Sequence, residues 1–289
     1  MKYVDEYLEL LPGKSVRIFD YCMPSVGKKK ILVFGIGGGS DIVGAYSIAS
    51  MLQKKNSESE IVYGLCVSQK HDYEGFERIN DGLFKRSPFL SDMDLENHHS
   101  SLKLTIEMNQ FDENLPAPYL IVRPKMNSDK ILKVFQESLK YIEPDIVYAV
   151  DLGGDSLTCG IEDESGFDRT GLKALKDTGI PFIHLVLGLG CDGESKMDSM
   201  MNAIEKMKEK ELFFGAFNLS QEIDLMTPIS TLLLDKYRTP NIMVSANEDI
   251  VNNPDKSTET IIIPRHINPE IPLRWLVTGI AMDGKSRKG

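Results

Sequence analysis

The chain has 289 residues, of which 42% are hydrophobic and 26% charged, and its formal net charge at pH 7 is −10. These values are typical of a globular protein. The acidic balance argues against a general binder of nucleic acid or anionic membrane, because both partners select a basic surface. No apolar run reaches the roughly 18 residues of a membrane span. We therefore expect a small-molecule ligand and neither nucleic acid nor membrane as a partner.

The first residues and the cysteines bear on the cellular compartment that we expect for this chain. Residues 1–6 are acidic and do not resemble a signal peptide. The four cysteines (Cys22, Cys66, Cys159 and Cys191) are widely spaced, without a CxxC pair. This spacing predicts neither a zinc knuckle nor a disulfide framework. We expect a cytoplasmic protein with free thiols, and the sequence leaves open whether it forms a homo-oligomer.

The first predicted elements form a βαβ unit. A helical pattern over 2–11 ends at Pro12, and residues 30–35 are typical of a strand. A helix from 41 to 54 and a strand from 60 to 67 follow. The crossover between two such parallel strands is expected to be right-handed.

The next segment, 68–101, is polar and shows little periodicity. A segment of this length without clear elements is typical of a lid, a binding loop or elements whose pattern is not recognised. We expect a lid or insertion within a single α/β domain over 1–289. The later predicted strands are 102–108, 118–123, 146–150, 182–187 and 271–280, and the later predicted helices are 128–141, 168–178, 196–210 and 224–237.

Three apolar strands each end in a glycine loop that carries acids, at 35–41, 151–156 and 188–194. Continuous apolar runs are typical of parallel strands buried on both faces. In open parallel sheets, ligands bind beyond the carboxyl ends of the strands. The sequence therefore predicts a mainly parallel, Rossmann-like, three-layer α/β sheet with glycine-rich loops at the carboxyl ends of its strands.

The first loop has the composition of an anion cradle at a helix start. Its candidate ligand-binding residues are Gly37, Gly38, Gly39, Ser40 and Asp41. The alternative is a tight strand-to-helix turn in which Ser40 or Asp41 caps the helix. The loop lacks the glycine at position 40 that a dinucleotide fingerprint needs, which disfavours NAD or FAD.

The second and third loops carry carboxylates that suit a hard cation. Oxygen ligands on short loops are typical of Mg²⁺ or Mn²⁺ sites, so Asp151, Asp155 and Asp192 are the candidate metal ligands. The candidate ligand-binding residues beside them are Gly153, Gly154, Ser156 and Gly190. The alternative is that each aspartate only braces its own loop through an Asx-turn.

Two residues are candidates for acid/base work. Glu194 ends the third loop, and His71 follows a predicted strand next to Asp72. The alternative for His71 is a solvated histidine in a loop. His184 lies inside a predicted strand, where a satisfied core histidine is the expected state. No Ser-His-Asp or Cys-His arrangement is visible in the sequence.

These loops also carry a resemblance. The motifs are Gly35-Ile-Gly-Gly-Gly-Ser-Asp-Ile-Val-Gly44, Ala149-Val-Asp-Leu-Gly-Gly-Asp155 and Gly188-Leu-Gly-Cys-Asp-Gly-Glu194. In this order, over roughly residues 30–195, they resemble the domain-of-unknown-function 1152 family of archaeal and bacterial proteins. The resemblance implies the fold and the importance of the loops, but no reaction. It also implies a Ser-Pro-Leu stretch before an acid, where this chain has Gly166–Gly171 with Asp168 as a replacement acid.

The leading hypothesis is a divalent-metal-assisted hydrolase or transferase for a small phosphorylated or nucleotide-like substrate. The alternative is a non-catalytic sensor whose loops bind a nucleotide or sugar and whose acids accept hydrogen bonds from ribose hydroxyls. Metal dependence separates the two, because only the enzyme loses its function in a chelator.

Overall fold

The computed structural model describes residues 29–56, 58–68, 73, 76–87, 104–105, 114–124, 128–158, 167–233 and 235–284. Over these residues the fold is mixed α/β, with a large, mostly parallel sheet and eight helices. The chain divides into two compact units. The N-terminal unit contains the described residues within 29–150 and 167–182, and the C-terminal unit contains those within 151–158 and 183–284. A single domain over 1–289 stays a prediction.

The strands are β1 Lys30–Gly35, β2 Glu60–Ser68, β3 Phe76–Arg78, β4 Leu83–Arg86, β5 Tyr119–Arg123, β6 Ile146–Leu152, β7 Phe182–Leu187, β8 Phe213–Asn218, β9 Thr260–Ile262, β10 Glu270–Pro272 and β11 Thr278–Asp283. The helices are α1 Asp41–Lys55, α2 Ser128–Ile142, α3 Asp155–Thr158, α4 Phe167–Asp177, α5 Met197–Glu209, α6 Ser220–Ser230, α7 Thr239–Asn252 and α8 Leu273–Leu276. A 3₁₀ turn covers Pro254–Thr258. None of the helices in the described ranges is long and apolar enough to cross a membrane.

The N-terminal unit is built on strands in the order β3-β4-β5-β2-β1-β6. β5, β2, β1 and β6 run parallel, β4 is added antiparallel to β5, and β3 is added antiparallel to β4. The inner strands are buried almost throughout, as their continuous apolar sequences predict. Aromatic side chains join this sheet to two helices, because Phe34 meets Phe135 of α2 and Tyr63 meets Tyr46 of α1.

Part of the expected lid is sheet rather than loop. β3 and β4 form a hairpin, and the Asn80 side chain accepts the amides of Gly82 and Leu83 at its turn. Short strands with charged residues give no clear periodic signal, which is why the sequence pattern did not predict them. Residues 69–72, 74–75 and 88–101 lie outside the described residues, and the lid role stays a prediction.

The C-terminal unit contains β7, β11 and β8, with β11 antiparallel to both neighbours, and a separate β9–β10 pair. The strand predicted over 271–280 is interrupted by α8, which begins after Pro272. The helix predicted over 224–237 instead starts at Ser220, whose amide and hydroxyl both bond to the Asn218 side chain. This side-chain turn lies directly before the helix, which begins upstream of the position that Pro228 indicated.

Candidate functional site

The second and third loops lie against each other in the C-terminal unit. The amide of Gly190 donates to the carbonyl of Gly153 at 2.6 Å, and the amide of Gly153 donates to the carbonyl of Leu187 at 3.0 Å. Gly153 and Gly190 both have positive φ angles, of 127° and 82°. Glycine adopts these angles without the strain that a Cβ would cause. Glycines at these positions therefore let the two loops approach each other through their backbones.

Asp192 lies where these two loops meet. Its Oδ2 accepts the amide of Asp155 at 3.2 Å, and its Oδ1 accepts the amide of Glu194 at 3.0 Å. The Asp192 residue is only 7% exposed. A Cβ on Gly153 would lie less than 3.0 Å from the Asp192 carboxylate, so this side chain fits only against glycine. Asp192 thus bridges the loops as well as bracing its own loop by an Asx-turn.

The surroundings of Asp192 raise the pKa of its carboxyl group. Burial, followed by the negative charge of Asp155, raises the pKa of Asp192 from 3.8 to about 7, against the opposing effect of the Glu194 amide. Burial raises the pKa of the neighbouring Cys191 thiol well above its ordinary value, and the charges of Asp192 and Asp151 add to this. The Cys191 thiol is therefore protonated at neutral pH and is a poor nucleophile.

Glu194 has a partner that the sequence pattern did not indicate. Nε2 of His266 lies 3.3 Å from Oε1 of Glu194. The turn that carries His266 packs on the third loop, because the amide of Ile267 donates to the carbonyl of Gly193 at 3.1 Å. Burial and the charge of Arg265 lower the pKa of His266 below 6.5, so its imidazole is neutral at pH 7. Only the tertiary fold brings these distant residues together.

A second cluster in the C-terminal unit joins Asp151, Ser156 and His184. The Ser156 hydroxyl donates to Oδ2 of Asp151 and lies 2.9 Å from Nε2 of His184. A hydroxyl has one proton, so Nε2 of His184 donates to Ser156 when that proton is bonded to Asp151. All three residues are at most 1% exposed. His184 is thus the satisfied core histidine that we expected, in an Asp-Ser-His arrangement that the sequence did not show.

Ser156 connects this cluster with the first one. Its amide lies 3.0 Å from Oδ1 of Asp155, while its hydroxyl bonds to Asp151. The predicted metal ligands are therefore held differently: Asp151 is bonded to a buried side chain, whereas Asp155 and Asp192 face the loop junction.

The first loop belongs to the N-terminal unit and is bonded to its own helix. The amide of Gly37 donates to Oδ2 of Asp41 at 2.8 Å, and Asp41 is only 5% exposed. Ser40 stands at the N-cap of α1 without a side-chain capping bond. Gly38 is exposed, and a Cβ there would meet no heavy atom within 4 Å. The amide of Gly37 thus already donates to Asp41, and within the predicted cradle Gly38 is exposed and Gly39 is half-buried.

A second buried carboxylate covers the same loop. Asp168, in the first turn of α4, is 8% exposed, and carboxylate oxygens of Asp41 and Asp168 lie within 4.8 Å of each other. A Cβ on Gly37 would lie less than 3.0 Å from both oxygens of Asp168 and from Oδ2 of Asp41. We call Asp41 and Asp168 the acidic pair. Asp168, which replaces the acid implied by the family resemblance, therefore lies at the first loop.

One known protein family matches this chain. A family model described as "Protein of unknown function (DUF1152)" matches residues 76–233, which is more than half of the chain. The chain belongs to the DUF1152 family. The DUF1152 match includes the second and third loops and Asp168, while the first loop and His266 lie outside the matched range. The curated proteins and the solved structures contain no significant match.

Within this DUF1152 protein, the predicted site residues fall into two groups. The C-terminal unit gathers Gly153, Asp155, Ser156, Gly190, Asp192 and Glu194, and the N-terminal unit gathers Gly37 and Asp41. Gly154 has a positive φ of 120° and packs near Met200 and Val186. His71 lies outside the described residues. The family description names no reaction.

Proposed function

We propose that this protein is an enzyme that uses Mg²⁺ or Mn²⁺ to hydrolyse, or to transfer a group from, a small phosphorylated or nucleotide-like substrate in the cytoplasm. We further propose a Rossmann-like, three-layer scaffold that presents glycine-rich loops at its strand ends. The observation that supports the enzyme most is the state of Asp192. A buried carboxylate whose pKa is raised to about 7 by burial and by a second aspartate favours the binding of a cation.

Asp155 and Asp192 fit a hard divalent ion. Each oxygen of Asp192 accepts one amide hydrogen bond, and a carboxylate oxygen has two acceptor positions. A cation would take the place of the proton on Asp192 and offset the repulsion from Asp155. A bound ion of this kind would polarise a phosphoryl oxygen and lower the pKa of a water molecule. Asp151 acts on this site through Ser156, which bonds to both Asp151 and Asp155.

The acid/base group of the proposed reaction is Glu194 with His266. The side chains are 21% and 33% exposed, so a ligand can reach both of them. The lowered pKa of His266 leaves the imidazole neutral at pH 7 and able to accept a proton. In hydrolysis that proton comes from water, and in transfer it comes from the acceptor hydroxyl.

The N-terminal unit offers a second place for an ion and an anion. The acidic pair consists of two buried carboxylates of like charge, and a divalent ion bound beside them would offset their mutual repulsion. The exposed Gly38 precedes a helix of 15 residues, and amides at such a helix start attract an anion. This arrangement supports binding of a phosphorylated ligand together with a divalent ion.

The sensor is the alternative, and one observation favours it. Asp192 already accepts two amide bonds that join the loops, and Asp151 accepts a hydroxyl bond. Carboxylates engaged in this way can brace a binding loop without a metal. In that case the remaining acceptor positions would bind ribose hydroxyls of a nucleotide.

The test is a Mn²⁺ titration by calorimetry, together with a thermal-shift screen of nucleotides and sugar phosphates with Mg²⁺, with Mn²⁺ and in chelator. We expect Mn²⁺ to raise the melting temperature by mass action, and Asp192→Asn to weaken Mn²⁺ binding roughly tenfold. The matched control is Asp198→Asn, because Asp198 is exposed in the first turn of α5. A ligand that binds equally well in chelator would favour the sensor, and the absence of any Mn²⁺ binding would overturn the metal-assisted enzyme.

A further inference from the structure

Arg123 contacts the first turn of α4 through hydrogen bonds and through an aromatic ring. It is the last residue of β5, and its Nη1 donates both to the carbonyl oxygen of Phe167 and to the hydroxyl of Thr170. Its guanidinium carbon lies 3.5 Å from the centroid of the Phe167 ring. The Thr170 hydroxyl also donates to the Phe167 carbonyl at 3.0 Å. The start of the helix is thus fixed to the end of a sheet strand.

Asp168 lies in the sequence between Phe167 and Thr170, which Arg123 contacts. The same helix approaches the first loop closely at Gly171, where a Cβ would lie 3.2 Å from Cδ1 of Ile36. Both oxygens of Asp168, and Oδ2 of Asp41, lie less than 3.0 Å from the place that a Cβ on Gly37 would take. A small shift of the first turn of α4 would therefore change the separation of the two carboxylates.

We propose that Arg123 is a positioning residue for the acidic pair: it clamps the first turn of α4 and thereby holds Asp168 over Gly37, beside Asp41. The inference rests on the proposed function, in which this pair holds a divalent ion. Arg123 itself acts through Phe167 and Thr170.

The chemistry of the clamp requires arginine rather than any cation. A planar guanidinium stacks on a ring and donates to acceptors in its plane at the same time, whereas an ammonium group does not combine these contacts. Its charge also acts at the carboxyl end of β2. There Arg123 lowers the pKa of the Cys66 thiol, while Asp168 and Asp41 raise it, within a net rise to about 12 that is due mainly to burial. The cation and the two carboxylates thus all act on the same buried residue near the carboxyl end of β2.

The test compares Arg123→Lys and Arg123→Met with the parent. Lys173→Met is the control, because it removes a positive charge from an exposed position of the same helix. The measurements are amide hydrogen exchange over 167–172, the amide proton shift of Gly37 and the Kd for Mn²⁺ alone. The Gly37 amide lies outside α4 and beside both carboxylates, so it reports the position of the pair rather than the integrity of the helix.

We expect both Arg123 variants to speed exchange in the first turn of α4, to move the Gly37 amide shift and to raise the Mn²⁺ Kd roughly tenfold. The Lys173 control should change none of these. If Arg123→Lys behaves like the parent, charge alone suffices and the clamp is overturned. A loss of stability with an unchanged Gly37 shift indicates a merely structural role and also overturns it.

These measurements separate a failure of the Arg123 clamp from a failure of the proposed function. If the parent binds no Mn²⁺, the metal-assisted enzyme fails, and the Gly37 shift and the exchange of α4 still decide the clamp. If Arg123→Met does not fold, Thr170→Val takes its place, because it removes one acceptor and leaves Arg123 intact. Faster exchange and a moved Gly37 shift in Thr170→Val support the clamp, and unchanged values overturn it.

Discussion

The amide nitrogen of Asp155 lies 3.2 Å from Oδ2 of Asp192 and donates a hydrogen bond to it. This bond joins the start of α3 to the loop after β7. The Asp155 carboxylate acts on the same group in the opposite sense, because its negative charge raises the pKa of Asp192. The backbone of Asp155 thus attracts the Asp192 carboxylate, whereas the side chain of Asp155 repels it. A neutral side chain at position 155 would remove the repulsion and keep the hydrogen bond.

Asp155→Asn is the first prediction. The variant keeps the amide bond to Asp192 and the shape of the side chain, so the free energy of unfolding at pH 7 should fall by no more than about 1 kcal/mol. If Asp155 is a ligand, Mn²⁺ affinity should fall by roughly tenfold or more. A melting curve and a Mn²⁺ titration on the same variant measure both quantities, with Asp198→Asn as the control. Equal Mn²⁺ binding by variant and parent would exclude Asp155 as a ligand and favour the sensor.

The second prediction concerns pH. The pKa of Asp192 is 3.8 ordinarily and about 7 in the folded protein. Between these values the folded protein retains a proton that the unfolded chain has lost, so the Asp192 contribution to stability falls as the pH rises from about 4 to about 7. One proton gives a slope of at most about 1.4 kcal/mol per pH unit. Urea unfolding across this range in the absence of metal measures the slope.

Over part of this pH range, the lowered pKa of His266 has the opposite effect on stability. Its pKa is lowered below 6.5, so the folded protein binds this proton less tightly, and the His266 contribution falls as the pH drops below 6.5. The parent therefore has to be compared with Asp192→Asn and with His266→Gln. Asp192→Asn should remove the loss of stability toward neutral pH, and His266→Gln should steepen it. The same pH profile in parent and Asp192→Asn would refute the raised pKa of Asp192.

Gly153→Ala is the third prediction, with Gly179→Ala as its control. Both glycines have positive φ angles, of 127° and 77°. A Cβ on Gly179 meets nothing within 4 Å, whereas one on Gly153 collides with the Asp192 carboxylate. We expect Gly179→Ala to cost roughly 1–2 kcal/mol of unfolding free energy through the backbone alone. Gly153→Ala should cost roughly 1–3 kcal/mol more through overpacking. Equal costs in denaturant titrations would contradict the close approach of Asp192.

The sequence predicted the strands that carry the candidate site because their signal is local. The strands predicted over 30–35 and 182–187 have the bounds of β1 and β7, and α1 begins at Asp41 as expected. The β3–β4 hairpin was missed, since its strands are short and carry Glu77 and Lys85. Membership in the DUF1152 family was predicted and is confirmed.

Side-chain partners were harder to predict, because they depend on contacts between distant segments. Nothing near Glu194 in the sequence indicates His266, and nothing near Asp41 indicates Asp168. His184 did carry a signal, since a histidine inside the apolar run Phe182–Leu187 needs a buried hydrogen-bond partner. The identity of that partner, Ser156, required the fold.

Ser156→Ala is the fourth prediction. The Ser156 hydroxyl bonds to Asp151 and to His184, and its removal takes one partner from each of two buried polar groups. The unfolding free energy should fall by roughly 1–3 kcal/mol. Ser47→Ala is the matched control, because Ser47 is also 0% exposed but donates only to the carbonyl of Gly44 within α1. That change should cost less than about 1 kcal/mol.

Two results separate a structural cluster from one that supports the loop site. Because the amide of Ser156 still bonds to Asp155 in the variant, the Asp155–Asp192 junction should survive, and Mn²⁺ affinity should fall less than in Asp155→Asn. A loss of Mn²⁺ binding as large as that of Asp155→Asn would instead show that Asp151 and Ser156 belong to the ion site itself. Equal stability losses in Ser156→Ala and Ser47→Ala would show that the bonds to Asp151 and His184 contribute little to the fold.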